Sequence, residues 1–331
     1  MFSNSNSVWN KKGVVFLLFF LVFLLIVAFS SCDIDLEDDG VMEREDRIRI
    51  ISTIFPAYDF AKEIAGNNAY VSMLLPPGAE SHSFEPSPLD IIAIEESDLF
   101  IYVGGESDEW VTDVLMSIGK DQDEIIKLID SVNAVEEVIV PGMEEEKEES
   151  TSTVGKEYDE HIWTSPENAK LIVKKICSKL EEIDDRNYGI YDKNAEIYEM
   201  KLDELDRKFQ EVVKNGKRKT IIFGDRFPFR YLADAYGLDY FAAFPGCSTE
   251  TECSAKTLKY LIDKVRKEKV PVVFHIELSN KEIAKSIAEE TGVKVKQLHA
   301  AHNVSKDEFN SGKTYLEIME DNVESLREAL A

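Results

Sequence analysis

Two long helical patterns follow one another without a strand between them, in a chain that otherwise alternates strand with helix. That interruption constrains the fold more than any other feature. Before it, 48–55, 70–75 and 99–103 read as strands, and 58–65, 88–96 and 110–117 as helices. After it, 220–223, 238–241, 270–276 and 293–298 read as strands, and 229–236, 255–267, 281–291 and 315–330 as helices. Strands that are apolar throughout and separated by helices imply parallel sheets covered on both faces. The first central helix starts at Ser165-Pro166, an N-cap followed by a first-turn proline, and its stripe is Leu171, Ile172, Ile176, Leu180 and Ile183. The second, from about 192 to 214, carries Tyr198, Leu202, Leu205, Phe209 and Val212 and stops at Asn215-Gly216. At about 1.5 Å per residue it makes a rod of roughly 35 Å, long enough to cross from one lobe to another. The expected architecture is α/β: two lobes with mostly parallel sheets flanked by helices, joined by a long rigid α-helix. The lobes fall at 47–184 and 217–331, with 185–216 linking them.

The start of the chain does not belong to that fold. Lys11 and Lys12 precede an apolar run over 14–29, followed by Ser30-Ser31-Cys32. A positive flank, an apolar core and small residues mark a secretory signal over 1–31. The run is shorter than the roughly 20 residues that usually span a bilayer. Cys32 after two small residues resembles the lipobox of bacterial lipoproteins, with Phe29 where an aliphatic is usual. That resemblance implies an acylated Cys32 and a cell-membrane location on the extracytoplasmic face. Residues 32–46 then form an acidic tether. Of the remaining cysteines, Cys177, Cys247 and Cys253, the last two either close a loop as a disulfide or stay as buried thiols. A net charge of −26 excludes nucleic acid as a natural partner, because phosphate binding needs a basic face. The acidic stretch 141–160, with Glu144-Glu145-Glu146 and Glu148-Glu149, lacks the apolar content to order itself.

Candidate ligands sit where the alternation places a cleft. His82 lies on a loop stiffened by Pro76, Pro77, Gly78, Pro86 and Pro88, just past a strand. Asp225, Glu277 and His299 also follow predicted strand ends, the usual ligand position in open parallel sheets. His161 follows the acidic stretch and precedes a helix start. Imidazoles and a carboxylate converging between two lobes suit zinc, and manganese less well. His275, inside a strand, reads as a core residue. His299 and His302 both reach one metal only if the intervening turn is helical, and His299 is the favoured one. Glu277 is expected to hold a ligand in place more than to bind metal itself.

These residues resemble a known family, the metal-binding lipoproteins of ABC importers for zinc and manganese, and within it the zinc-type members. The resemblance covers residues from Arg47 to the C-terminus. It is carried by Pro77-Gly78-Ala79-Glu80-Ser81-His82-Ser83-Phe84-Glu85-Pro86, Asp159-Glu160-His161-Ile162-Trp163, Tyr231-Leu232-Ala233 with Tyr236-Gly237-Leu238, and Glu277-Leu278-Ser279. It implies two α/β lobes joined by a rigid helix, no enzymatic activity, a monomer, and a membrane permease as partner. The family's first two ligands fall on His82 and His161, and its fourth on His299. The third falls on Arg226, which stays protonated and cannot ligate; Asp225 beside it is the substitute if the loop bulges. The expected metal set is therefore His82, His161, Asp225 and His299, with His302 and Glu277 as further metal or supporting residues. Two other classes stand against a transport role. A secreted metal-dependent hydrolase needs an open coordination position and a general base; a surface adhesin needs only a structural metal.

Overall fold

The computed structural model describes residues 47–143 and 158–331. The leader, Cys32, the tether and most of the acidic stretch lie outside the described residues. Four strands, β1 (Ile48–Ser52), β2 (Ala69–Met73), β3 (Leu99–Tyr102) and β4 (Ile125–Lys127), form an all-parallel sheet in the order β2-β1-β3-β4. Helices α1 (Phe55–Ala65), α2 (Pro88–Glu95) and α3 (Glu109–Ile118) cover it. Ile50, Leu99 and Ile101 are fully buried, as expected of strands with helices on both faces.

The central pair is α4 (Pro166–Ile183) and α5 (Tyr188–Asn215). Beyond it, β5 (Thr220–Ile222) pairs in parallel with β6 (Asp239–Phe241), and β7 (Val272–His275) with β8 (Lys294–Gln297). A parallel bridge between Phe223 and Phe274 joins the two pairs. The connecting helices are α6 (Arg230–Tyr236), α7 (Ala255–Glu268), α8 (Glu282–Thr291), α9 (Lys306–Ser311) and α10 (Tyr315–Leu330).

Local chemistry explains where the elements depart from the sequence expectation. β1 stops at Ser52 because Pro56 sits in the first turn of α1 and starts it at Phe55. α5 begins at Tyr188, ahead of the expected start near 192, so its 28 residues span about 42 Å. On α4 the buried stripe is Ala169, Ile172, Val173, Ile176, Cys177 and Leu180, while Leu171 is exposed. β4 is only three residues, following the polar stretch 121–124, and α9 is one short helix held by a Ser305–Glu308 capping box; neither leaves a periodic signature. Cys177 and Cys247 are free thiols, so no bridge joins Cys247 to Cys253.

α5 touches both halves. Phe60 of α1 packs edge-on against Tyr198, and the Asn194 side chain donates to Ile64 O. Farther along, Phe209 stacks on Tyr236, and Tyr236 Oη donates to Asp206 at 2.8 Å. One apolar cluster runs from Ile50 and Phe60 through Trp163, Ile172 and Leu205 to Phe274, Tyr315 and Leu326. That cluster, among the described residues, joins the two halves, and the C-terminal ends of both sheets open toward one cleft.

Candidate metal centre

Four stretches meet in that cleft. The first is the loop after β2. Gly78, at φ 84°, donates its N–H to Val304 O, and Asn303 Nδ2 donates to Pro76 O and Ala79 O at 2.8 and 2.9 Å. The prolines stiffen this loop, and the opposite half of the molecule pins it. The second stretch is Asp159–Thr164, whose single 3-10 turn places His161 at its start; Tyr231 Oη donates to Asp159 O at 2.7 Å. The third is 224–228 after β5. The fourth is 298–304 after β8, tied to the second because Trp163 Nε1 donates to Ala300 O at 2.7 Å.

His82, Glu160, His161 and His302 come together, with one donor atom of each within 4.8 Å of the others. The ring centroids lie 6.0 Å (His82–His161), 5.3 Å (His82–His302) and 5.2 Å (His161–His302) apart. A tetrahedral zinc with bonds of about 2.05 Å spaces its donors about 3.3 Å apart, so loading draws the most distant pair in by up to roughly 1.5 Å. The space between them, about 20 Å³, has room for one ion or water and not for an organic solute.

Each imidazole meets a protein partner through Nδ1. His82 Nδ1 lies 2.8 Å from Ser107 Oγ, His161 Nδ1 3.0 Å from Asp159 Oδ1, and His302 Nδ1 3.4 Å from Ser81 Oγ. Nε2 is then the nitrogen left for a metal. On His302 it is buried with no hydrogen-bond partner among the described residues, 3.9 Å from Glu160 Oε1. An orphaned buried nitrogen beside a carboxylate fits a cation better than it fits an apolar core. Burial lowers the His82 imidazole to about 4 and His302 well below its usual value, the latter helped by the neighbouring imidazoles. Both are held neutral, the form that ligates. Burial acts the same way on His161, but Asp159, with Glu160 and Glu137, outweighs it and raises this imidazole.

The other expected ligands sit elsewhere. Asp225 accepts from Ser279 Oγ and from Arg226 N, the latter at 2.9 Å, and anchors the loops after β5 and β7. Arg226 lines the cleft and reaches across to Glu80 with two contacts, 2.9 and 3.2 Å. Between His299 and His302 the turn is not helical, so the two imidazoles diverge. His299 is held by Asn322 at its backbone, and its Nδ1 accepts from Ala301 N at 2.9 Å; its Nε2 lies 3.8 Å from Glu308. Ala301, at φ 60°, reverses the chain and brings His302 into the cluster. Glu277 accepts from Ala300 N and His302 N at 2.7 and 3.1 Å, which shapes the ligand-bearing loop without placing the carboxylate in the cluster. His275 Nδ1 donates to Ile276 O at 2.7 Å at the end of β7, away from the cluster. Glu160 was not singled out from the sequence. It stands directly before His161 in the Asp159-Glu160-His161-Ile162-Trp163 motif, where the sequence shows only the end of the acidic stretch.

The family described as zinc-uptake complex component A, periplasmic (ZnuA), matches residues 50–329. The high-affinity zinc uptake system protein ZnuA of Bacillus subtilis is 30% identical over 311 residues, covering 93% of this chain and 94% of its own length. The zinc-binding lipoprotein AdcA of Streptococcus pneumoniae is 29% identical over 320 residues, covering 96% of this chain and 61% of AdcA's own length. Among solved structures, the Zn(II)-bound ZnuA-like domain of that AdcA superposes with a TM-score of 0.70 at 28% identity, covering 86% of this chain and 99% of the domain. The laminin-binding protein Lmb of Streptococcus agalactiae, described as an adhesin with metal transporting activity, gives 0.72 at 28% identity, covering 86% of this chain and all of its own. The family extends over both sheets, the central helix pair and all four stretches of the cleft: this chain belongs to the ZnuA family of zinc-uptake binding proteins.

Proposed function

We propose that the chain captures zinc outside the cytoplasm and hands it to the permease of an ABC importer, with His82, Glu160, His161 and His302 as the ligands. The convergence of those donor atoms within 4.8 Å carries the assignment. Three imidazoles and one carboxylate form a nitrogen-rich set, which favours zinc over manganese. Four protein donors also fill a tetrahedral shell and leave no position for an activated water, so the arrangement does not support a hydrolase. The cleft admits an ion and little else, which agrees with capture and release of cargo. The family is one of transport binding proteins and not of enzymes. Acylation at Cys32, a monomeric state and docking on a permease belong to the same proposal. The two lobes at 47–184 and 217–331, linked through 185–216, are its mechanical frame.

Zinc titration of the metal-free protein, with elemental analysis, tests the site. The expected outcome is one zinc per chain, severe weakening by His82→Ala, Glu160→Gln, His161→Ala or His302→Ala, and little change in His275→Ala. Retention of full affinity by any two of the four ligand variants overturns the assignment.

A further inference from the structure

One residue outside the donor set touches two of its members. Ser107 sits in the short 3-10 turn Glu106–Asp108 that follows β3. Its backbone N–H donates to Glu160 Oε2 at 2.9 Å, and its hydroxyl donates to Glu160 Oε1 at 2.5 Å. The same hydroxyl lies 2.8 Å from His82 Nδ1. A serine hydroxyl has one proton, and its short contact with Glu160 Oε1 directs that proton to the carboxylate. With that proton committed to Glu160, the hydroxyl can only accept from His82. The imidazole must then carry its proton on Nδ1, with the Nε2 lone pair free.

We infer that Ser107 is a positioning residue for metal capture: it orients Glu160 and fixes His82 in the tautomer that presents Nε2 to the ion. The inference rests on the proposed ligand set, since it acts through His82 and Glu160. Chemically it assigns to a single hydroxyl the work usually divided between separate partners, orienting a carboxylate and selecting an imidazole tautomer. The site itself supports this economy. Gly105, two residues earlier, lies so close to Glu160 that a Cβ there would overlap the carboxylate side chain. The turn therefore closes over Glu160 with backbone and hydroxyl alone, and Asp108 holds the turn from behind by accepting from Val103 N and Gly104 N at 2.7 and 3.1 Å.

The test begins with the unaltered, zinc-free protein at pH 7. Ring carbon and nitrogen chemical shifts of His82 should report the proton on Nδ1. In Ser107→Ala it should move to Nε2, and zinc affinity should fall by about 10- to 100-fold. Ser107→Thr, which keeps the hydroxyl, should restore both the tautomer and the affinity. A proton on Nε2 of His82 in the unaltered protein overturns the inference, as does unchanged affinity in Ser107→Ala. If Ser107→Ala does not fold, the tautomer in the unaltered protein and the behaviour of Ser107→Thr decide it. Parallel titrations of His82→Ala and Glu160→Gln separate the two levels. Full affinity in those variants removes the ligand set itself; weakened binding there with intact binding in Ser107→Ala removes only the role of Ser107.

Discussion

Exchanging which of two neighbouring histidines is lost is the sharpest perturbation of this site. His299 and His302 are three residues apart, equally buried, and both keep an Nε2 with no hydrogen-bond partner among the described residues. Only His302 has that nitrogen in the donor cluster. A fully built zinc site is worth on the order of 10–16 kcal/mol, so one donor of four carries about 2.5–4 kcal/mol. At about 1.4 kcal/mol per decade, His302→Ala should weaken zinc binding by roughly 100- to 1,000-fold. His299→Ala removes the acceptor for Ala301 N and loosens the turn that carries His302. It should cost about 1–3 kcal/mol of stability, with zinc affinity falling no more than about tenfold. Competition against a chromophoric chelator at pH 7 reads both affinities, and urea denaturation of the metal-free proteins reads both stabilities. If His299→Ala loses zinc as severely as His302→Ala, the division of labour drawn from Ala301 and Asn322 is wrong.

Three further outcomes follow from other parts of the molecule. Gly105→Ala should push Glu160 out of the cluster and weaken zinc binding while leaving the far-ultraviolet circular dichroism unchanged; normal affinity would show that Glu160 tolerates displacement. Trp163→Phe should remove the bond to Ala300 O and lower stability by about 1–3 kcal/mol, measured by denaturant midpoint, because a buried carbonyl is left without its donor. Asp59, where α1 meets Tyr198 of α5 and Tyr315 of α10, is pushed up to about 7 by burial, against the N–H of Tyr315. The folded state then holds a proton that the unfolded chain has released, so stability falls as pH rises between about 4 and 7. The full effect is about 4 kcal/mol. Asp59→Asn should flatten that fall, and an Asp59→Asn protein whose stability tracks the unaltered one at every pH would refute it.

The fold was legible because strands such as β3, β5 and β7 are buried on both faces and the helices carry caps and stripes that sequence displays directly. Ser87 and Ser165 precede prolines, and Gly216, Gly237 and Gly292 close helices. Half of the candidate site was legible for a similar reason: His82 and His161 sit in rigid, distinctive motifs. The other half was set by backbone direction, which composition does not display. Whether His299 or His302 enters the cleft depends on a left-handed Ala301, a conformation that glycine or asparagine usually announces and alanine does not. Asp225 stands beside the cleft in sequence, yet Ser279 and neighbouring N–H groups claim its oxygens. Glu160 was hidden by its surroundings, since a carboxylate at the end of an acidic run looks solvated until Ser107 is seen to bind both its oxygens. Arg226 illustrates the converse. It lies within the cleft as its sequence position implied, but its charge is spent on Glu80.

The apolar cluster that runs beneath both sheets has a thermodynamic corollary. No interface of weak contact separates the halves along that seam, so they should lose structure together in a single cooperative melt. A ligand bound only by the folded chain raises the free energy of that one transition by RT ln(1 + [L]/Kd). The melting temperature of the whole chain thus becomes a gauge of how much zinc it carries. A cargo of one ion is registered at every helix, including those tens of ångströms away.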